Sequence, residues 1–487
     1  MRVLDTISAL VFSAFLIAPV LSVLGFGYDP EAENAVTRDE IELGSLIQAD
    51  RTYRDDIIDR ALQNSPVGMN AIRLRNWVDY SIIGFVETDQ VISGEGDWLY
   101  YVPSFEGGEC VERRRIEWAI DKVEAFSKVA EAAGIQFVFS VSPDKAVAVE
   151  SRLGTRASLA AGCKISNARE WRHYARTIGS SIVDHLDAFE DPTLTDEIYF
   201  RTDTHWNEFG GALAVRQLAS RLIEKDVGLP TLGSGERVSI DTDLRTGMLR
   251  LPIQEDTESF PEFWETQFPD RVGAGVTDAV ILHDSFYKKI TKPLMILFPD
   301  GALFDLNHPQ PDALQSAIAN RPKHLVVNSV ERRMIPRLVS QNYSWNSPMG
   351  KGLVEANRSI AQGCDYSPID TRELELSNMS AEPSSGRFLT QRDPKLYLRL
   401  KDTARRPCIK IQFSTSSSTV SQLFLPTGAE GGVREGLSVK FFDETGPDRS
   451  IELVLPEEFS NSKVRFDPDF GESEIQDLIV EIGEIRN

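Results

Sequence analysis

Cysteine is scarce in this chain, with four residues in 487. None falls in a Cys-x-x-Cys pair or a Cys/His cluster, so the sequence offers no zinc-binding pattern and calls for no metal. Basic residues are in deficit. Lys and Arg number 52 against 74 Asp and Glu, a formal net charge of −22. A surface that acidic repels phosphate backbones and argues against a nucleic-acid partner. It also repels a uniformly anionic polymer unless a local basic patch lies at the site. There is no internal repeat and no long low-complexity tract. Long hydrophobic runs are absent after the first thirty residues. What is present in quantity is apolar residue, 41% of the chain, enough for a sizeable core and for two or three domains of ordinary size.

The one long apolar run lies between Asp5 and Asp29, where no charged residue occurs. It follows a weakly basic start, Met1-Arg2-Val3, and is long enough to cross a bilayer as a helix. No good small-x-small cleavage site precedes Asp29, so an uncleaved signal anchor over residues 1–29 is preferred to a cleaved signal peptide. Either reading exports the rest of the chain. An even cysteine count in an exported protein implies disulfides. Cys110 and Cys163 fall in one apparent domain and Cys364 and Cys408 in another, so those two pairs are expected.

From Val111 to about Ser340 helical and strand patterns alternate. Residues 111–133 carry a helix pattern ending at Gly134, followed by a buried strand at 135–141. Further helices are expected at about 167–178, 209–223 and 311–319. Strands are expected at 181–184, 279–282, 294–297 and 324–327. Such alternation implies a parallel sheet with helices on both faces, with the active site at the carboxyl edge of the strands. Past about Ala361 the texture changes. Short alternating strands recur at 396–400, 409–413, 437–442, 451–455 and 478–482, which reads as a β-sandwich.

Two segments carry chemistry. In Ala279-Val280-Ile281-Leu282-His283-Asp284-Ser285-Phe286, Ser285 closely follows an apolar strand, where the chain turns out of the sheet. The backbone N–H groups of Ser285 and Phe286 are candidate oxyanion donors there. A serine hydroxyl needs a base within hydrogen-bond reach. In Tyr199-Phe200-Arg201-Thr202-Asp203-Thr204-His205-Trp206, His205 is the best candidate base. Asp203, two residues earlier, is placed to hold its tautomer. Each segment alone has a bland reading, since Asp and Ser favour turns and Asn207 can cap a helix near Phe209. Together on an α/β sheet they favour catalysis. Trp206 either stacks on a sugar ring or packs in the core. Arg201 either contacts substrate or forms a structural salt bridge. Tyr287, Lys288, Lys289 and Lys292 make a short basic run that either meets an acidic sugar or forms a solvated helix face. His173, His185, His308 and His324 read as structural.

The segments 201–206 and 283–286 resemble those of the alginate O-acetyltransferase family, SGNH-hydrolase-like proteins in which the Asp-x-His pair precedes the serine. Asp89-Gln90-Val91-Ile92-Ser93-Gly94-Glu95-Gly96-Asp97-Trp98-Leu99-Tyr100 and Ser142-Pro143-Asp144-Lys145 fit the same pattern. The similarity covers roughly residues 30 to 345. It implies an SGNH-like, flavodoxin-like parallel sheet over 30–360, followed by a β-sandwich over 361–487 that matches the carbohydrate-binding module of some members. It implies that Ser285, His205 and Asp203 are the triad. The implied role is acetylation of an exported polysaccharide in the periplasm, with the acetyl group passed across the inner membrane by a membrane-bound O-acyltransferase. An esterase that removes acetyl groups and a non-catalytic polysaccharide-binding scaffold are the alternatives. Two departures stand out. His283 replaces the glycine of an ordinary Gly-Asp-Ser, and no Gly-x-Asn-Asp block supplies an oxyanion asparagine, which leaves the second donor unassigned.

Overall fold

The computed structural model describes residues 66–105, 110–223, 228–261, 263, 278–340, 345–370, 374–382, 387–400, 405–415, 419–427, 432–443, 448–468 and 474–486. The apolar segment expected to anchor the chain lies outside them. Among the described residues no helix is long and apolar enough to cross a membrane.

The chain divides into two compact units. The first comprises residues 1–102, 201–203 and 239–255, and the second comprises 103–200, 204–238 and 256–487. Within the first, helix α1 (Pro66–Trp77) precedes an antiparallel hairpin of β1 (Val91–Ser93) and β2 (Leu99–Tyr101). Its turn needs left-handed backbone, supplied by Gly96 at φ 61° and Asp97 at φ 66°. Val86, Val91, Leu99, Leu244, Leu249 and Leu251 form a small apolar cluster in this unit.

The second unit opens with α2 (Arg113–Ala132), whose apolar stripe is fully buried, and β3 (Gln136–Ser142). Helix α3 (Gly154–Ile178), strand β4 (Ile182–Asp184) and helix α4 (Glu208–Ile223) follow. Next come β5 (Glu236–Ile240) and β6 (Glu255–Ser259), which form a separate two-stranded sheet. Strand β7 (Ala279–His283) then leads into the single-turn helix α5 (Ser285–Lys289) and into α6 (Thr291–Leu297). After β8 (Ala302–Asp305) come α7 (Pro311–Ala319), β9 (His324–Val330), α8 (Glu331–Val339) and α9 (Asn346–Ala361). The sheet order is β4-β3-β9-β7-β8 with every pair parallel. This is the helix-flanked parallel sheet expected of an SGNH-like fold.

One expected strand is a helix instead. Residues 294–297 lie in α6, and the edge strand is β8. A short apolar run carries no periodicity that separates a buried strand from a buried helix. Helix α3 also starts well before the expected residue 167.

The remaining strands are β10 (Cys364–Pro368), β11 (Glu375–Glu382), β12 (Arg387–Arg399), β13 (Pro407–Thr415), β14 (Thr419–Thr427), β15 (Gly432–Asp443), β16 (Asp448–Val454), β17 (Lys463–Asp467) and β18 (Glu474–Ile485). They make one antiparallel sheet of order β15-β14-β17-β12-β18-β13-β16, with β10 added on β18 and β11 on β12. The result is a curled, sandwich-like sheet rather than two separate sheets. Its interior belongs to the same apolar cluster as the α/β layer: Ile120, Phe139 and Leu353 share it with Leu423, Val439 and Phe466. Helix α2 presses on β15 so closely that a Cβ on Gly436 would lie 2.5 Å from Trp118. Both expected disulfides are present, Cys110–Cys163 and Cys364–Cys408.

Candidate active site

Strand β7 is apolar and buried, and it sits between β9 and β8 near the middle of the sheet. Its chain turns sharply at Asp284. The Asp284 carboxylate caps the next turn, its Oδ1 accepting from the Phe286 N–H at 2.9 Å. Its Oδ2 accepts from the Val330 N–H and from Arg337 Nη1 at 3.2 Å. One buried carboxylate therefore ties the end of β7 to the end of β9. Ser285, the first residue of α5, is left exposed at the carboxyl edge of the sheet. The sequence reading took Asp284 as a turn residue and missed this anchoring, which depends on two partners far along the chain. It also expected the Phe286 N–H at the oxyanion. That donor is committed to Asp284, so the expectation is corrected.

His205 sits on a tight loop closed by an isolated bridge between Tyr199 and Trp206. Inside the loop the Phe200 N–H donates to the His205 carbonyl at 3.3 Å. Asn207 caps α4 as expected, its Oδ1 accepting from the Gly210 N–H at 3.0 Å, while its Nδ2 donates to the Glu197 carbonyl at 2.8 Å. Gly210 and Gly211 let the loop and the Ser285 helix crowd α4. A Cβ on Gly210 would lie 2.2 Å from the Ile198 carbonyl oxygen, and one on Gly211 would lie 2.4 Å from Ile290 Cγ2. The His205 ring packs on Phe286 with centroids 4.8 Å apart, and its Nδ1 lies 3.1 Å from Thr204 Oγ1. The base candidate thus touches the residue next to Ser285.

Asp203 belongs to the first unit, where it is buried and its Oδ2 accepts from the Asp243 N–H at 3.1 Å. Its neighbours are fixed by Glu255, which accepts from the Arg201 N–H at 2.7 Å and the Thr202 N–H at 2.8 Å. The Arg201 side chain is exposed.

Trp206 and Tyr287 are core residues in this conformation, each 1% exposed. Trp206 packs edge-on against Phe286 at 5.0 Å, His185 at 5.7 Å and Phe189 at 6.3 Å. Of the two readings left open for Trp206, the structure places it in the core. The Tyr287 hydroxyl meets Ser140 Oγ at 2.6 Å and His185 Nε2 at 2.9 Å. His185 Nδ1 lies 2.7 Å from Gln217 Oε1, an acceptor, so Nδ1 carries the proton and Nε2 accepts. Burial holds His185 near a pKa of about 4 against the opposing Gln217 bond, which keeps it neutral. Asn328 Nδ2 donates to Ser140 Oγ at 3.2 Å and Ser142 Oγ at 2.9 Å. This neutral polar network lies under α5. Lys288, Lys289 and Lys292 are exposed on the surface beside it.

A charged network lies at the ends of β3 and β9. Asp144 is buried between Lys164 Nζ at 2.7 Å and Arg332 Nη1 at 2.6 Å. Burial alone would raise its carboxyl, but the two cations outweigh burial and hold it below the usual range. Glu331 accepts from Trp171 Nε1 and Arg172 Nη1, both at 2.8 Å, and from the Asp144 N–H at 3.1 Å. Arg172 reaches on to Asp184 at 2.5 Å. Burial nevertheless pushes Asp184 up to about 6.

Residues 91–243 match the family model of an SGNH hydrolase-like domain, acetyltransferase AlgX. That stretch contains Asp203 and His205 but not Ser285. Over 172 residues the chain is 27% identical to a probable alginate O-acetylase AlgJ of Pseudomonas fluorescens, spanning 34% of this chain and 42% of that protein. The chain therefore spans less than half the length of this curated relative. Similar solved structures include the O-acetyltransferase domain of Pseudomonas putida AlgJ, at 17% identity and TM-score 0.35, over 50% of this chain and 92% of that one. Pseudomonas aeruginosa AlgX is 13% identical at TM-score 0.37, over 81% of this chain and 94% of that one.

Proposed function

We propose that the protein is an O-acetyltransferase that moves an acetyl group onto hydroxyls of an exported polysaccharide through an acyl-serine. The observation that carries this reading is Ser285 itself. It is exposed at the carboxyl end of a parallel strand, on a turn fixed by Asp284, and its next neighbour Phe286 is in contact with the His205 ring. The family match over the Asp203/His205 region supports it. His205 takes the Ser285 proton as the hydroxyl attacks the acetyl donor, then passes it to the leaving group. In the second half His205 activates a sugar hydroxyl, which takes the acetyl group from Ser285. Asp203, two residues before the base, orients it and stabilises its cation. Transfer outruns hydrolysis when the sugar hydroxyl excludes water from the acyl-enzyme. The exposed Arg201 side chain is a candidate contact for substrate. Trp206 and Tyr287 support the site from below.

The chain works in the periplasm, held to the inner membrane by residues 1–29 and supplied with acetyl groups by a membrane-bound O-acyltransferase. Its two disulfides suit an oxidising compartment. Strands β10 to β18 hold the polymer and raise its effective concentration at Ser285. Because they share a core with α2 and α9, this role is best tested on the intact Ser285→Ala chain by polymer binding, and no binding would overturn it.

Mass spectrometry after exposure to an activated acetyl ester tests the chemistry. The intact chain should gain one acetyl group at Ser285 and lose it when oligosaccharide is added, with acetylated sugar as product. Ser285→Ala and His205→Ala should each lower turnover by at least about a thousandfold. Near-normal turnover by Ser285→Ala would sink the assignment.

A further inference from the structure

The tetrahedral intermediate of acyl transfer carries a full charge on the former carbonyl oxygen, and pre-placed N–H groups lower its energy. Of the two backbone donors expected at the turn after β7, the Phe286 N–H is committed to Asp284 Oδ1, which leaves the Ser285 N–H. A further donor has to come from a neighbouring segment at the carboxyl edge of the sheet. The strands beside β7 are β9 and β8. At the end of β9 the Val330 N–H is also taken by Asp284.

The end of β8 is placed differently. Strands β7 and β8 run parallel with His283 opposite Asp305. The ladder continues one bond further, where the Leu306 N–H donates to the His283 carbonyl at 2.7 Å. Two residues beyond the His283/Asp305 pair, each chain carries an exposed polar residue, Ser285 after β7 and Asn307 after β8. The two therefore stand at the same edge of the sheet, on adjacent chains.

Asn307 is also held in place. Its N–H donates to Asp305 Oδ1 at 2.8 Å, and its Oδ1 accepts from Arg337 Nη2 at 2.8 Å. Arg337 is buried, and its Nη1 donates to Asp284 Oδ2 at 3.2 Å. A single guanidinium thus ties Asn307 to the residue before Ser285. Arginine only donates, so the amide atom facing it must be the oxygen. The Nδ2 group is turned the other way. Among the described residues it meets no acceptor, so both of its N–H donors are open to a ligand.

We propose that Asn307 is a catalytic residue whose Nδ2 donates to the oxyanion formed when Ser285 attacks an acetyl ester. The inference rests on the reading of Ser285 as nucleophile. Ser285 Oγ bonds to the acetyl carbonyl carbon while His205 takes its proton. The carbonyl π pair moves onto oxygen, where the Ser285 N–H and Asn307 Nδ2 stabilise it. Collapse re-forms the carbonyl and breaks the ester C–O bond, and the departing oxygen takes the proton from His205. The second half retraces these steps with the sugar hydroxyl as nucleophile. Asn307 then supplies, from a different segment, the amide donor that no Gly-x-Asn-Asp block provides.

The test is steady-state hydrolysis of p-nitrophenyl acetate by the full chain, joined to infrared spectra of the acetyl-enzyme. Asn307→Ala should lower kcat by about 10²- to 10³-fold with little change in KM, the signature of a lost oxyanion donor. Asn307→Asp keeps an oxygen for Arg337 but has no N–H to give, and should fall at least as far without loss of thermal stability. The carbonyl stretch of an isotope-labelled acetyl group on Ser285 should move to higher frequency in Asn307→Ala, because a hydrogen bond to that oxygen lowers it. A purely structural role through Arg337 would leave the band unmoved. Asn307→Ala with kcat within about threefold of the native value would overturn the proposal. So would an unshifted band in a variant that turns over slowly. Retained turnover in Ser285→Ala would take the nucleophile reading down as well, whereas loss in Ser285→Ala with none in Asn307→Ala sinks this proposal alone.

Discussion

Lys122 is the residue whose removal should change stability most informatively. It lies on α2 and is 5% exposed, with its ammonium held by Ser438 of β15, at 2.5 Å from the carbonyl oxygen and 3.1 Å from Oγ. No carboxylate is among those partners. Burial first, and Lys440 second, push its pKa from 10.5 down to about 7. The unfolded chain therefore binds a proton more tightly than the folded chain, and stability must rise with pH between about 7 and 10.5. At about 1.4 kcal/mol per pKa unit, keeping this cation buried costs about 4 kcal/mol at pH 7 and about 2 kcal/mol at pH 9. The native chain should gain about 2 kcal/mol over that interval. The window must stop below 10, because buried Tyr199 and Tyr287 ionise above the normal tyrosine value and act in the opposite sense there. Lys122→Met removes the titration and leaves Gln422 Nε2 still bonded to Ser438 Oγ. Urea unfolding of both proteins at pH 7 and pH 9 gives the result directly. The native chain should become more stable at pH 9 and the variant should not. Parallel pH dependence in the two proteins would refute the reasoning.

Three other outcomes follow from contacts within the second unit. Gly210→Ala places a Cβ against the Ile198 carbonyl, so it should destabilise by about 3 kcal/mol and lower turnover at least tenfold by moving the His205 loop, measured by thermal melts and ester assays. Asp284→Ala leaves Arg337 buried without its carboxylate and releases the caps on Phe286 and Val330. A loss of at least about 3 kcal/mol in urea unfolding is expected. Breaking Cys364–Cys408, which closes a 44-residue separation, with the double Cys→Ser variant should cost about 4 kcal/mol on the chain-entropy model, and an unchanged melting curve would contradict it.

Some of the fold is legible because its signals are local. The buried strand near 136–142, the helix ending at Gly134 and the cap at Asn207 each depend on residues within one or two turns. Position 294–297 was misread because four apolar residues fit a helix as well as a strand, and only their packing separates the two. The curled C-terminal sheet follows the same rule. Its strands were visible by alternation, but their order joins β12 to β17 and β18, which no local pattern encodes.

The chemistry divides in the same way. Sequence alone picked out the residues proposed for acyl transfer: a serine after an apolar strand, and an Asp-x-His pair on a loop before a helix. Reactive side chains are few, and their types restrict the reactions available. Sequence also determined the disulfide pairs, since four cysteines in two textural regions leave one simple pairing. Tertiary structure alone decided that Asp284 anchors the turn that carries Ser285, that Trp206 and Tyr287 are buried, and that Arg332 stands beside Phe286. Each of these has at least one partner far along the chain, such as Val330 for Asp284 and Phe286 for Trp206. Burial and charge pairing at that range are set by which strands lie side by side, and the order β3-β9-β7 brings together three chain segments far apart in sequence.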